Sequence, residues 1–241
     1  MKIIDAHVHP ETTLQALSKT LKEQNIEKAL VYVLKDDVPC NVIPENMIVS
    51  KAVTTISGTR FLNMFSKYKI KGIKFLPYEQ EITRDKFMKY WSIAQTAQEK
   101  GYFLTICSTY GSKLLYETNG VELAYHIRKD IDIPIILAHA GGARIFDAMN
   151  LAKEYDNVFL DLSFSLQYWW GSTVIQDIAF AINKLDGYQV FYGSDYPCVS
   201  FKDSMWFFNY FADRYGISKP DKERILYDNF KEFEEKYIAK G

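Results

Sequence analysis

The amino-acid sequence predicts an α/β fold, a (β/α)8 TIM barrel formed by a single domain over residues 1–241. Three observations support this fold class. Eight short apolar segments are mostly separated by segments of helical periodicity, and the third to the eighth alternate cleanly with helices. The chain length of 241 residues is close to the roughly 250 residues that eight strand–helix units need. Residues able to do chemistry follow the apolar segments, where the active sites of TIM barrels lie.

Each element is predicted from its periodicity and from the residues that end it. The predicted strands, which are apolar or β-branched runs, are residues 1–10, 28–34, 47–54, 69–77, 102–107, 133–142, 157–164 and 188–195. The predicted helices are residues 12–24, 58–68, 84–100, 119–130, 143–154, 173–185, 201–215 and 220–239. Residues 35–46 form a predicted loop, and no linker marks a domain boundary. A doubly wound open sheet is the alternative, but the sequence has no GxGxxG motif and no phosphate-binding loop.

The composition limits the class of partner. Lys and Arg number 29 against 30 Asp and Glu, so no charge excess favours nucleic acid or a membrane surface. The odd set of Cys40, Cys107 and Cys198 is no disulfide framework, which favours a reducing cytoplasm. No signal segment or membrane-spanning apolar run is apparent, so a soluble cytoplasmic protein with a small-molecule substrate is expected. A homo-oligomer is possible on the sequence alone.

The first strand carries the strongest candidate site. In an extended strand alternate side chains share a face, which would put Asp5, His7 and His9 together, opposite Ile4, Ala6 and Val8. Two neutral imidazoles one residue apart can converge on one zinc ion. A pair of surface histidines is the alternative.

Further polar residues end other predicted strands. Lys74 lies near the end of the fourth, Cys107 ends the fifth, His139 the sixth and Asp195 the eighth. Because the carboxyl ends of barrel strands meet at one face, these side chains are expected to surround one site.

The motifs DAHVHP, GIKFLP, ILAHAGG and FYGSDYP, in this order, resemble the amidohydrolase superfamily, and in particular its amidohydrolase-related group. ILYDNF in the last helix is also similar to that group. The resemblance implies a TIM barrel that holds one divalent ion, usually zinc, with His7, His9 and Asp195 as ligands. Asp195 would also accept a proton, and His139 would orient or deprotonate water or polarise a substrate carbonyl. Such proteins hydrolyse amide, ester or lactone bonds, and some decarboxylate aromatic or unsaturated acids.

The chain departs from the family pattern at Cys107, where the family has a histidine ligand. Thiolate binds zinc, but its sulfur lies closer to the backbone than an imidazole nitrogen does. The ion could move toward the fifth strand, His139 could become the third nitrogen ligand, or metal affinity could be lost. We favour His139 as a ligand, with Cys107 second. A small buried apolar residue is the alternative for Cys107.

Other residues have more than one interpretation. Lys74 is a carbamylated bridge between two metals, an anchor for a substrate carboxylate, or a buried lysine. Arg144 binds an anionic substrate or is solvated, and Trp169 lines the pocket or packs on the outside of the barrel. Asp5 is expected to hydrogen-bond a ligand imidazole.

The expected reaction is attack of zinc-activated water on an amide, ester or lactone carbonyl. The alternatives are nonoxidative decarboxylation and a catalytically impaired barrel that serves only for binding.

Overall fold

The computed structural model describes residues 2–34, 42–53, 62, 65–108 and 117–239. Within them, eight parallel strands follow one another in chain order around one sheet. The strands are β1 Ile4–Val8, β2 Lys28–Val33, β3 Met47–Ala52, β4 Gly72–Phe75, β5 Phe103–Cys107, β6 Ile135–Ala138, β7 Val158–Asp161 and β8 Val190–Phe191. Backbone hydrogen bonds from Ala6 to Tyr192 (2.8 Å) and from Asp195 to His7 (2.9 Å) connect the last strand to the first. The prediction of a TIM barrel is confirmed.

Helices connect the strands and form the outer layer. They are α1 Leu14–Glu23, α2 Phe87–Glu99, α3 Gly120–Arg128, α4 Ile145–Glu154, α5 Ser165–Tyr168, α6 Val174–Lys184, α7 Phe201–Arg214, α8 Lys219–Glu223 and α9 Asn229–Phe233. Two π-helical segments, Arg224–Asp228 and Glu234–Ile238, continue the last two helices. Most of the predicted helix 58–68 and of the predicted loop 35–46 lies outside the described residues. In the described part of the chain, no helix has the length and apolarity to cross a membrane.

Four of the described helices, α1, α3, α7 and α8, begin after a capping side chain. Asn119 accepts hydrogen bonds from the backbone N–H groups of Val121 and Glu122 at the start of α3. Ser200 caps α7 by accepting from Asp203 N–H. Such caps satisfy backbone donors that have no partner inside the helix. The predicted starts at residues 119 and 201 lie within one residue of the observed ones. The four-residue helix α5 was not predicted, because the apolar run before it reads as a longer strand.

The amino-terminal half of the barrel interior is filled by apolar side chains. The members of this interior cluster are Ile4, Ala6, Leu30, Tyr32, Ile48, Phe103, Ile136, Phe159, Phe191, Phe230, Phe233 and Ile238. Three of them come from the C-terminal helical segment, which also forms an ion pair between Glu234 and Lys28 (2.5 Å) at the start of β2. The C-terminal segment therefore closes the amino-terminal end of the barrel, and the polar residues occupy the opposite end.

The first strand departs from strict alternation. Its pairing with β2 shifts register between Asp5 and Val8. Ala6 packs in the interior cluster, whereas Val8 packs in the core between strands and helices. The prediction that Ile4, Ala6 and Val8 share one face is therefore wrong, because a bulge places an extra residue in the strand.

Gly72 in β4 leaves room for an aromatic ring of the interior cluster. A Cβ atom at this position would lie 2.3 Å from Cζ of Phe103. We expect Gly72→Ala to lower the free energy of unfolding by about 1–3 kcal/mol, as overpacked cores do. Urea denaturation measures this change. Phe103→Leu should relieve the clash, so the double variant should lose less stability than the sum of the two single variants. Additive losses would contradict the packing explanation.

Candidate metal centre

Two imidazoles from β1 and the residue after it form the centre of the site. His7 Nδ1 lies 2.5 Å from Asp161 Oδ2, and His9 Nδ1 lies 3.0 Å from the backbone oxygen of Tyr32. A carboxylate and a carbonyl only accept here, so both Nδ1 atoms carry the proton. Both Nε2 atoms are then unprotonated, and they lie 3.2 Å apart. Two nitrogen lone pairs at this separation favour a cation between them.

Asp195 completes the group. Its Oδ1 lies 3.4 Å from His7 Nε2 and 3.5 Å from His9 Nε2. Ligand atoms about 2.1 Å from one tetrahedral zinc would lie about 3.4 Å from each other. Among the described residues, these three form the group of His, Cys, Asp and Glu side chains whose ligand atoms all lie within 4.8 Å. The two nitrogens and one oxygen therefore fit a divalent metal ion and leave coordination positions open.

The protonation states suit a metal site. Burial lowers the pKa of His7, and the positive charge of Lys74 lowers it further. Burial also lowers the pKa of His9. For Asp195 burial opposes ionisation, but the neighbouring imidazoles of His9, His7 and His139 together more than offset it and hold the pKa below its ordinary value. The imidazoles are thus neutral and the carboxylate ionised near neutral pH, as metal ligation requires.

Asp161 at the end of β7 orients His7. Besides His7 Nδ1, its carboxylate accepts hydrogen bonds from Ser163 N–H (2.8 Å) and Ser163 Oγ (2.8 Å). Burial raises the pKa of Asp161 to about 6. A carboxylate on the distal nitrogen of a ligand histidine fixes its tautomer and increases its basicity. Sequence reasoning missed Asp161, although a carboxylate directly after the apolar run VFL was a usable signal.

Asp5 does not have the role that the sequence predicted. Its Oδ1 accepts hydrogen bonds from the backbone N–H groups of His7 (3.0 Å) and Ser194 (2.9 Å), not from an imidazole. The bulge in β1 explains the difference, because it takes Asp5 off the face that carries the imidazoles. Burial raises the pKa of Asp5 to about 7. Asp5 therefore joins the ends of β1 and β8 through the backbone.

Asp161→Asn tests the orienting role. We expect the affinity for zinc to fall by about 10–100-fold, the usual effect of losing a group that holds a ligand histidine. Competition with a chromogenic chelator measures the affinity. Asp147→Asn is the matched control, because Asp147 is an exposed carboxylate on α4 that contacts Arg144. Equal affinities for both variants and the unmodified protein would rule out this role for Asp161.

Strained backbone lies at three successive strand ends. His139, Phe164 and Asp195 follow β6, β7 and β8 with φ angles of 64°, 60° and 63°. Non-glycine residues seldom adopt this left-handed conformation, and it concentrates at functional sites. Gly193 allows the close approach, since a Cβ there would lie 2.5 Å from Asp161 Oδ1 and 2.8 Å from His7 Cβ. The segment Gly193-Ser194-Asp195 therefore places the Asp195 carboxylate next to the two histidines.

His139 and Cys107 are near the site but outside the ligand group. The His139 ring stacks on His7 with centroids 5.0 Å apart, and its Nδ1 lies 2.8 Å from the backbone oxygen of Ser163. Cys107 is buried at the end of β5. Neither contributes an atom to the group formed by the described residues. Their roles as metal ligands stay predictions.

Lys74 lies directly beside the ligand group. Its side chain is buried, with Nζ 3.0 Å from His7 Nε2 and 3.9 Å from the centroid of the Tyr32 ring. Burial lowers the pKa of Lys74. The sequence placed Lys74 at the strand end correctly, and the structure brings it together with His7.

The other predicted binding residues make contacts away from this group. The exposed Arg144 pairs with Asp147, with Nη1 3.5 Å from Oδ2. Trp169 packs partly buried against the core between strands and helices and meets Tyr168 edge-on at 4.9 Å. These contacts are those of a surface ion pair and a packing residue. Substrate binding by either residue stays a prediction.

The fold has relatives among solved structures. The barrel resembles a probable 2-pyrone-4,6-dicarboxylic acid hydrolase from Acinetobacter baumannii with citric acid bound, at TM-score 0.70 and 14% identity, covering 96% of this chain and 98% of that chain. It resembles a 2,6-dihydroxybenzoate decarboxylase from Rhizobium at TM-score 0.68 and 11% identity, covering 100% of both chains. A dihydroxybenzoic acid decarboxylase from Polaromonas with bound manganese gives TM-score 0.67 and 12% identity, covering 99% of this chain and 98% of that chain. At these identities the likeness shows the fold.

Sequence comparison shows the family. No curated protein matches the sequence. A family model described as amidohydrolase matches residues 60–231, which is most of the chain. Together with the group formed by His7, His9 and Asp195, this match shows that the chain belongs to the amidohydrolase family of metal-dependent enzymes.

Proposed function

We propose that the protein is a metal-dependent hydrolase that uses activated water to cleave an amide, ester or lactone bond of a small substrate. The observation that carries this proposal is the triangle of His7 Nε2, His9 Nε2 and Asp195 Oδ1, with sides of 3.2, 3.4 and 3.5 Å. Zinc is the proposed metal, since two imidazoles and one carboxylate are a usual zinc ligand set. The chemistry that a bound divalent ion supplies is acidification of water, from a pKa of about 15.7 toward about 7.

Residues of this chain carry out the other steps of the proposed reaction. Asp195 is ionised, so it can accept the proton of the attacking water while the oxygen forms a bond to the carbonyl carbon. It then passes this proton to the leaving oxygen or nitrogen as the bond to carbon breaks. Asp161 and the Tyr32 carbonyl hold both imidazoles in the required tautomer.

His139 acts on the substrate side in this proposal. Its Nδ1 donates to the Ser163 carbonyl, which leaves Nε2 as an acceptor beside His7. An acceptor there can orient the attacking water or take up its second proton.

Decarboxylation of an aromatic acid is the second candidate. It is favoured by aromatic side chains after β7. Phe164 meets the His139 ring edge-on at 6.3 Å, and its ring centroid lies 5.5 Å from that of the tilted Tyr168 ring. Aromatic walls suit a planar ring. The solved structures with this fold include both a hydrolase and decarboxylases by name.

A substrate panel distinguishes the two candidates. The zinc- or manganese-loaded protein is incubated with small lactones, esters and amides, 2-pyrone-4,6-dicarboxylate included, and with dihydroxybenzoates. Hydrolysis predicts one new carboxyl group that contains one oxygen from ¹⁸O-labelled water, and this product should be lost in Asp195→Asn. Release of CO₂ instead would establish the decarboxylase. A fully loaded protein that turns over nothing in the panel would support a barrel that only binds.

A further inference from the structure

An aromatic patch lies on the surface of α7. Trp206 and Tyr210 stack with their ring planes 9° apart and their centroids 5.2 Å apart, and the Phe207 ring lies edge-on to Trp206 at 5.0 Å. Trp170, from the segment after α5, contacts Phe207 at 5.6 Å and Tyr210 at 5.1 Å between ring centroids. We call these four side chains the aromatic patch. Two separate segments of the chain therefore combine to form it.

Much of the aromatic patch is in contact with solvent. The exposed fractions are 57% for Trp206, 41% for Tyr210 and 36% for Trp170. With about 150–250 Å² for each aromatic side chain, the patch exposes roughly 300 Å². The packing of α7 does not need these rings, because the helix contacts the core through its opposite face, with Phe208 and Phe211. A contiguous exposed apolar patch of roughly this size is often a site of interaction.

Charged residues of opposite sign flank the patch on the same face of α7. Asp203 lies before the patch and Arg214 after it, and both are exposed. Positions 203, 206, 210 and 214 recur at steps of three and four, so they share one face, with Asp203 and Arg214 about 16 Å apart along the helix axis. In an antiparallel pair of such helices, each Asp203 lies opposite Arg214 of the other copy, and Phe207 lies opposite Tyr210. The face is therefore complementary to itself, as a two-fold contact between identical chains requires.

We propose that α7 is the contact surface between two copies of this chain, packed antiparallel about a two-fold axis. The aromatic patch forms the centre of this contact, and an ion pair between Asp203 and Arg214 forms each end. Two patches supply roughly 600 Å² of buried surface, half of the roughly 1,200 Å² with which stable interfaces begin, and the polar residues around them supply the rim.

The residue types and the charges favour a second copy as the occupant. Trp, Tyr and Arg are the residues that contribute most of the binding energy at protein interfaces. The charges of one face match those of the same face on another copy, which a contact with an unrelated protein does not require. This inference goes beyond the proposed function and does not depend on a bound metal ion.

Sedimentation velocity over a series of protein concentrations tests the contact. The unmodified protein should sediment as a dimer of 28.0 kDa chains that dissociates on dilution. Trp206→Ser should raise the dissociation constant at least about 30-fold, the effect of removing a central aromatic side chain from an interface. Tyr125→Ser is the matched control, because Tyr125 is a 49% exposed aromatic residue on α3, outside the patch. This control should leave the dissociation constant unchanged.

Charge reversal tests the antiparallel arrangement. Asp203→Arg and Arg214→Asp each place like charges opposite one another at both ends of the contact, so each variant alone should form a weaker dimer than the unmodified protein. An equimolar mixture of the two variants should dimerise again, because both end pairs then have opposite charges. Circular dichroism shows whether each variant is folded. If Asp203→Arg does not fold, Arg214→Lys, which keeps the charge and should keep the dimer, becomes the comparison for Arg214→Asp.

The outcomes decide between this contact and other uses of the patch. An unmodified protein that stays monomeric at every concentration would assign the patch to a different partner and overturn the contact. A dimer that Trp206→Ser leaves unchanged would overturn it too, because the chains would then meet through another surface. A mixture of the charge-reversed variants that dimerises no better than either variant alone would contradict the antiparallel pairing.

Discussion

Replacing His7 and His9 together with alanine should reduce bound zinc from about one ion per chain to almost none. The two Nε2 atoms are two of the three ligand atoms in the group, and a single carboxylate holds a divalent ion weakly. Elemental analysis after dialysis measures the stoichiometry. The rise in melting temperature that zinc gives to the unmodified protein should also disappear, because a ligand stabilises only the state that binds it.

A third histidine provides the matched control. His126 lies on α3, exposed, with Nε2 3.9 Å from Glu122 Oε1 and no contact with the ligand group. His126→Ala should keep the full zinc content. His9→Ala is a gentler test than the double variant, since His9 is partly exposed whereas His7 is fully buried. Full stoichiometry in the double variant would refute the site.

The fold was predictable because its signals are local. Apolar strands, helix periodicity and capping residues are properties of short segments, and their alternation implies parallel strands with right-handed crossovers. The two histidines were predictable for the same reason, since a spacing of two in one strand places them together. Asp195 followed from its position after an apolar run.

The remainder of the site depends on contacts between distant segments. Asp161 reaches His7 across 154 positions of sequence, which only closure of the barrel brings about. Because of the bulge in β1, Asp5 does not lie on the face that carries the imidazoles. A prediction from strict alternation cannot include such a bulge. The partner of Lys74 could not be predicted either. The position in the strand determines where the Cα atom of a lysine lies, but not which atom its amine contacts.

The sequence favours His139 as a metal ligand, with a catalytic group as the alternative. We propose the catalytic role instead. The His139 ring stacks beside His7, yet it gives no atom to the ligand group of the described residues. The Ser163 carbonyl fixes Nδ1, and Ser165 Oγ donates to the His139 backbone oxygen at 2.8 Å, so the imidazole is held in place beside His7.

His139→Ala should therefore keep zinc and lose turnover. The expected fall in kcat is about 10²–10⁴-fold, the contribution of a positioned acid or base. Elemental analysis and steady-state kinetics on the same preparation, with the substrate found by the panel, measure both quantities. Loss of zinc in this variant would instead make His139 the third nitrogen ligand, compensating for the cysteine at position 107. Because occupancy and turnover are measured separately, a variant that keeps its ion but loses its rate separates a role of His139 in turnover from a role in metal binding.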